Sequence, residues 1–297
     1  MRSDPDPTDL RDAAGVFESA RRRIFGIAYR MLGSAADAED IVQEVWIRWQ
    51  TTDRERIREP HAFLTTITTR LAINQLGSAH ARRETYIGPW LPEPVNTEDD
   101  PSLGAERAEA LQYAVLILLE TLTPTERAAY VLREAFDYPY DRIAEIVQTT
   151  PAASRQLVSR ARKHLGTGQR RTASTSEHRR LLTAFLVAAQ RGDTAQLETL
   201  FATDVVSYTD GNGAKLAARI PVAGAQRVAK FVAAFSTHFW RGKSIDWVEL
   251  NGMPAITLSE NGIVSAALTV IASGDGIDRL LWIMSLDKLR HVTTAAA

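Results

Sequence analysis

The 297 residues are 45% hydrophobic and 24% charged, which predicts two or three soluble domains, each long enough to bury a core. A net charge of −1 excludes a global field that would draw the chain onto a polyanion, so any nucleic-acid binding must come from local basic faces. The absence of Cys excludes disulfides, thiolate zinc sites and cysteine nucleophiles. The acidic, proline-rich start lacks an apolar targeting core, and no apolar run reaches the roughly 18 residues of a membrane span, so a cytoplasmic protein is expected.

The first 165 residues read as helices. Apolar Val16, Phe17, Ala20, Ile24, Ile27, Ala28 and Met31 recur at helical spacing over 16–32. Gly33 ends that helix, and Ser34-Ala35-Ala36-Asp37 opens the next, over 35–50, as a capping box. A third helix covers 60–84. The tract Gly88-Pro89-Trp90-Leu91-Pro92-Glu93-Pro94 and the acidic stretch to Pro101 then break the helical pattern. A second helical block runs over 102–165, with caps followed by proline at Thr123-Pro124 and Thr150-Pro151. Residues 166–176 form another linker. Beyond 177 the pattern predicts helices over 181–190 and 194–200, then strands over 204–209, 244–250, 263–272 and 277–285. Asn261-Gly262 and Gly274-Asp275-Gly276 mark hairpin turns, so the tail reads as an α+β domain with a meander sheet.

Two features carry chemistry. Residues 140–164 have helix–turn–helix patterning. Tyr140, Ile143, Ala144 and Val147 line one face of a short helix, and the helix from Pro151 turns Val158, Ala161 and Leu165 inward. Its other faces carry Ser154, Arg155, Gln156, Ser159, Arg160, Arg162 and Lys163 with no acid. Arg and Gln can pair with base edges in a major groove, while Ser and Lys hold phosphates. With Arg170, Arg171, Arg179 and Arg180 opposed only by Glu177, a local basic stripe follows. The alternative is a solvated basic face.

The second feature lies on the helix from Asp37, where Asp37, Asp40 and Glu44 fall within about 60° at roughly 100° per residue. Ile41, Val42, Val45, Trp46 and Trp49 occupy another arc. Such a cluster is either a solvated face or a docking surface for a basic partner. Acid–base or metal chemistry is disfavoured because the six His are scattered, and no metal or cofactor is expected.

The acidic tract Asp37 to Trp46, followed about a hundred residues later by Leu122-Thr123-Pro124-Thr125-Glu126-Arg127 and the helix–turn–helix, resembles the extracytoplasmic-function (ECF) class of RNA polymerase sigma factors. Trp90-Leu91-Pro92-Glu93-Pro94 and the α+β tail are similar to the SigJ-like subgroup, which has a C-terminal SnoaL-like extension. The resemblance implies a multidomain protein: sigma region 2 over 10–87, a connector over 88–103, region 4 over 104–166, and a SnoaL/NTF2-like cone over 177–291.

It further implies the partners, core RNA polymerase and promoter DNA, with docking on the clamp helices of the large β′ subunit and on the β flap. Asp37, Asp40, Ile41, Val42, Gln43, Glu44 and Trp46 would dock on the clamp. Arg70, Asn74, Arg82 and Arg83 would meet the −10 element, where Phe63 or Tyr86 could stack on unpaired bases. The helix from Pro151 would read the −35 element.

Asn74 stands where relatives carry Asp. Asp210-Gly211-Asn212-Gly213-Ala214-Lys215 departs from the relatives' Asp-Gly-Gly-Gly-Lys, and Ser285-Leu286-Asp287-Lys288-Leu289 from their Asn-Pro-Asp-Lys-Leu. The resemblance assigns regulatory contacts to Trp90, Leu91, Pro92, Glu93 and Pro94, and to Asp210, Gly211, Gly213, Lys215, Asp287, Lys288 and Leu289. The tail would then control the sigma regions from within the chain.

Two alternatives stand beside this reading. One is a helix–turn–helix regulator with a tail that senses an unknown small ligand. The other is a SnoaL-type enzyme with a DNA-binding arm, whose site would need a base and an oxyanion donor drawn from Tyr208, Asp210, His238, Trp240 and Trp282.

Overall fold

The computed structural model describes residues 7–97, 113–166, 173–290 and 292. They fall into two compact units. The first takes residues up to 82 and from 118 to 167; the second takes 83–104, 111–117 and everything from 168 on. The sigma-like regions therefore share one unit, and the segment after the third helix counts with the tail. None of the described helices is long and apolar enough to cross a membrane.

The first unit is all-helical. Its helices are α1 (Pro7–Leu32), α2 (Ala35–Thr51), α3 (Pro60–Glu84), α5 (Pro124–Glu134), α6 (Tyr140–Val147) and α7 (Pro151–Gly166), with the last two residues of α4 (Tyr113–Leu119), whose residues up to 117 count with the second unit. The expected apolar stripe of α1 is its core face: Ile24, Ile27, Ala28 and Met31 are all buried. Against it lie Ile41, Val42, Val45 and Trp49 of α2, and the Trp49 indole N–H donates to the Ala13 carbonyl at 2.9 Å. Ser34 caps α2, accepting from the Asp37 N–H. Thr123 and Glu126 close a reciprocal capping box on α5. The inner face of α3 is rich in threonine, and Thr68 and Thr69 bond back to the carbonyls four residues earlier. Their hydroxyls are thereby satisfied without water.

One charged residue sits at the centre of this unit. Arg127, 1% exposed, donates to the carbonyls of Leu119 (2.9 Å) and Met31 (2.5 Å), and pairs with Glu120 at 2.8 Å. Met31 belongs to the last turn of α1, where carbonyls lack intrahelical partners. One side chain therefore satisfies the end of α1 and the loop between α4 and α5.

The second unit is a six-stranded sheet with helices. It contains α8 (Thr175–Arg191), α9 (Thr194–Leu200), β1 (Phe201–Asp210), β2 (Val222–Ala223), α10 (Ala225–Ala234), β3 (Ser244–Leu250), β4 (Met253–Glu260), β5 (Ile263–Ser273), β6 (Gly276–Ile283) and the short α11 (Leu286–Leu289). The order is β2-β1-β6-β5-β4-β3. Strands β3 to β6 form the expected antiparallel meander, but β1 pairs in parallel with β6. Asn261 and Gly262 both take positive φ, as a tight hairpin with the strand twist requires.

Strand β4 and helix α10 go beyond the sequence expectation. Seven of the eight β4 residues are buried, so the strand shows no alternation, and Pro254 within it reads against a strand.

The sheet divides two cores. One face packs Leu182, Phe185, Ile256, Leu268, Leu280 and Trp282 beneath α8 to α10. The other packs Val248, Ala255, Ala267, Leu281 and Ile283 against Leu91 and Tyr113. The segment around Leu91, together with Tyr113, thus covers a sheet face that would otherwise be exposed.

His178 of α8 is 1% exposed, with Thr269 Oγ1 3.5 Å from its Nε2. Burial pushes its pKa from 6.5 down to about 4, a shift the Pro254 carbonyl only partly opposes. Between these values the unfolded chain binds a proton that the folded one excludes. Stability should therefore be full above pH 6.5 and fall as pH drops towards 4, by up to roughly 3 kcal/mol. Urea titrations at pH 7.5 and 4.5 would measure the slope, and His178→Gln should flatten it.

Candidate functional site

On α2 the acidic face is partly as expected. Asp40 and Gln43 are exposed, Glu44 is half-buried and pairs with Arg48 at 2.8 Å, and Asp37 accepts a bond from Gln75 at 3.3 Å. Ile41 and Val42 correct the expectation of a direct contact. They are 2% and 3% exposed, so they set the helix in place and present nothing to a partner. Trp46 is half-buried, its ring 4.9 Å from Phe17. The residue missed from sequence is Ile47, 55% exposed and one helical turn beyond Gln43 and Glu44. An exposed isoleucine beside acids is the signal that could have found it.

On α3, Asn74 is exposed. The Arg70 guanidinium donates to the carbonyls of Glu145 (3.0 Å) and Ile146 (3.1 Å), capping the end of α6. The side chains of Arg82 and Arg83 lie outside the described residues. Phe63 is half-buried beside Trp49, with centroids 6.0 Å apart. Tyr86 corrects the stacking expectation: its hydroxyl donates to Asp210 in the second unit.

Helices α6 and α7 form the expected helix–turn–helix. Gln148 takes the left-handed turn position often held by glycine, at φ 57°. Ile143, Ala144 and Ile146 face inward, with Ile146 in place of the expected Val147. Ser154 is a second correction. It is fully buried and its hydroxyl bonds to the carbonyls of Tyr140 and Pro151, so it fastens the two helices together and cannot meet DNA.

Gln156, Ser159 and Lys163 form the outward stripe, flanked by Arg155 and Arg162 on one side and Arg160 on the other, all exposed. Arg160 and Arg162 are paired with Glu126 (3.2 Å) and Glu134 (2.7 Å), which orient them along the helix. Arg155 lies over the Tyr140 ring. The expected stripe also takes in Arg170, Arg171, Arg179 and Arg180. Residues 167–172 lie outside the described residues, and Arg179 and Arg180 belong to the second unit, against Trp247 and Glu177.

In the second unit the connector and tail motifs meet. Asp210 is fully buried at the end of β1. Its carboxylate accepts from the Tyr86 hydroxyl, the Leu91 N–H (2.7 Å) and the Lys288 ammonium (2.6 Å). Lys288 also donates to the Leu91 carbonyl at 2.5 Å and sits over the rings of Trp90 and Tyr86. Burial, reinforced by the Asp210 charge, raises the Tyr86 pKa and keeps its hydroxyl a donor.

The remainder of the connector is fastened by backbone. Tyr113 donates to the Pro92 carbonyl, Asn251 exchanges bonds with Val95, and the Thr97 N–H donates to the Glu249 carbonyl. Leu91, Pro92, Glu93 and Pro94 are buried, and Trp90 is half-buried.

Leu289 is core, whereas Asp287 is exposed and paired with Arg290. A side chain on Gly211 would fall 2.2 Å from the Ala217 methyl, and Gly213 lies against Ile87 with φ +85°. Lys215 is exposed, and the cation of the cluster is Lys288. Asn251 and Thr97 were missed in the sequence because their partners lie more than a hundred residues away, and Tyr113 because its bond to Pro92 crosses 21 residues that no local spacing links.

The first unit is therefore a helical module with an acidic face on α2 and a helix–turn–helix, and the second is an α+β domain holding the connector. Residues 16–82 match the Sigma-70 region 2 family model and residues 114–165 the Sigma-70 region 4 model. The ECF RNA polymerase sigma factor SigJ of Mycobacterium tuberculosis is 39% identical over 232 residues, spanning 76% of this chain and 74% of that protein. The probable ECF sigma factor SigI of the same species is 28% identical over 229 residues, 76% of this chain and 77% of its own length. A crystal structure of the M. tuberculosis SigJ superposes with a TM-score of 0.74 at 31% identity, covering 94% of this chain and 98% of that one. The chain belongs to the ECF class of RNA polymerase sigma factors. Proteins of this class act by binding core RNA polymerase and directing it to promoters, and they are not enzymes.

Proposed function

We propose that the exposed Asp40–Gln43–Ile47 side of α2 docks on the clamp helices of the large polymerase subunit, with region 4 engaging the β flap. Helix α3 reads the −10 element through Asn74, Arg82, Arg83 and, once released from α6, Arg70. The Gln156–Ser159–Lys163 stripe and its flanking arginines read the −35 element. The tail, a SnoaL-like domain, restrains this activity by holding the connector.

The observation that carries the regulatory part is the fastening of residues 85–97 into the tail's sheet around Asp210 and Lys288. The two promoter elements are centred about 25 base pairs apart, roughly 85 Å of duplex at 3.4 Å per step. Residues 85–97 would supply about 45 Å of reach if extended. Within the first unit, regions 2 and 4 are joined by Arg70, by Tyr138 to Thr65 (2.9 Å) and by Arg142 to Glu59 (3.0 Å). Engaging both elements requires these bonds to open and the connector to pay out. The enzyme alternative loses support, because the carboxylate it needs, Asp210, is held by the connector.

Run-off transcription with core polymerase tests this. Asp40→Arg should weaken core binding by about a hundredfold, since a docking charge is replaced by its opposite in a desolvated contact. Truncations removing residues after about 170 should change promoter-specific output. Core binding by Asp40→Arg equal to wild type would remove the docking assignment, and unchanged output across the truncations would remove the regulatory one.

A further inference from the structure

The tail contains an apolar cleft on the opposite face of the sheet from the connector. Its walls are Phe231, Phe235 and Phe239 with the indoles of Trp240 and Trp282, and the empty space between them, open solvent included, is about 410 Å³. Among the described residues no charged side chain lines it, and Thr209 is the one residue of its wall that carries a hydroxyl. Trp240 and Trp282 lie 6.1 Å apart and each meets the Phe239 ring edge-on. Aromatic walls of this kind accept a flat apolar molecule and give it one hydrogen bond, while offering nothing to neutralise a charge.

The cleft and the connector cluster meet at two pairs of neighbouring residues. On β1, Thr209 lines the cleft and Asp210 holds the connector. After β6, Met284 lines the cleft, and the N–H groups of Met284 and Ser285 both donate to the Asp210 carbonyl. A third link is the segment 211–221. Leu216, 52% exposed, forms the outer wall of the cleft. Further along, Arg219 and Ala218 lie against the backbone of Gly88, and Gly213 lies against Ile87. The other walls belong to the packed core of the unit, so Leu216 is the wall that can move.

We infer that this cleft is a binding site for a small uncharged aromatic molecule of one or two rings, and that its occupation loosens the connector through Leu216 and Asp210. The inference rests on the reading that the tail restrains the connector, and it adds what releases it. A two-ring ligand displaces Leu216 outward. The 211–221 segment moves with it, Gly88 loses the Arg219 backbone it rests on, and Asp210, adjoining the segment, loosens its hold on the Leu91 N–H.

The test uses the full chain and the neutral two-ring fluorophore 6-propionyl-2-(dimethylamino)naphthalene, with hydrogen exchange read by mass spectrometry. The probe should bind with saturable fluorescence, and Trp240→Ala should weaken it about tenfold, the effect of losing one indole wall. With the probe bound, amide exchange over residues 88–97 should accelerate about tenfold, because those amides are protected by the bonds that loosen. Leu216→Ala trims an exposed side chain and should leave the fold intact. In that variant the probe should still bind, while exchange over 88–97 no longer responds.

Absence of saturable binding would overturn the site. Binding without faster exchange, or a Leu216→Ala variant that responds like wild type, would overturn the coupling. A probe that binds and accelerates exchange while tail truncation leaves transcription unchanged would keep this inference and remove the restraint reading instead.

Discussion

Lys288→Met should destabilise the second unit by about 3–5 kcal/mol, the cost of leaving a buried carboxylate without its counter-charge. Asp210 is fully buried and Lys288 is its cation, 2.6 Å away with only 12% of its side chain exposed. The Leu91 N–H and the Tyr86 hydroxyl remain as donors, but neither carries charge. The double variant Asp210→Asn/Lys288→Met should recover most of the loss, because no uncompensated charge then remains in the core. Urea unfolding of the full chain, followed by tryptophan fluorescence, gives both numbers. Trp90 lies 4.2 Å from the Lys288 ammonium and should report the latch directly. Equal stability of the single variant and the wild type would show that Asp210 does not depend on the Lys288 ammonium.

Arg127→Ala should cost the first unit a similar amount, about 3–5 kcal/mol. The change removes a buried guanidinium and leaves Glu120 and the carbonyls of Met31 and Leu119 without it. Burial already pushes the Arg127 pKa down, so its charge is held at a cost that these three partners offset. Arg127→Lys should not restore stability. An ammonium is a point charge and cannot match a planar fork that spans three acceptors. Thermal unfolding measures the loss, and limited proteolysis should show α1 parting from the α4–α5 loop first. A variant that unfolds with wild-type midpoint would mean that water replaces the guanidinium.

In the proposed reading of the promoter by α7, Arg160 and Arg162 start out paired with Glu126 and Glu134. These arginines are exposed, so their ion pairs contribute little to stability. What they supply is orientation, and a phosphate competes readily for an exposed arginine. The buried Ser154 contributes differently, by fixing the angle at which α7 leaves α6.

The helices of the sigma regions were legible because each carries its own local signals. The α1 stripe, the Ser34 and Thr123 caps and the proline at the first turn of α7 act over three or four residues, and the structure realises each. The acidic face of α2 and the basic stripe of α7 were legible for the same reason. Legibility stopped at inward or outward direction wherever a second element decides it, as for Ser154, Ile41 and Val42.

The helix–turn–helix and its order after an acidic helix were thus determined by the sequence alone, because helical periodicity is a property of neighbouring residues. Only the tertiary structure decided where the Trp90–Pro94 connector goes. It reads as a linker because proline and acidic residues interrupt helical pattern, yet it is buried against β4, β5 and β6. Its partners, Asp210, Asn251 and Lys288, lie more than a hundred residues away. No local spacing encodes such pairings. They exist because a sheet apolar on both faces needs a second cover, and the connector supplies it.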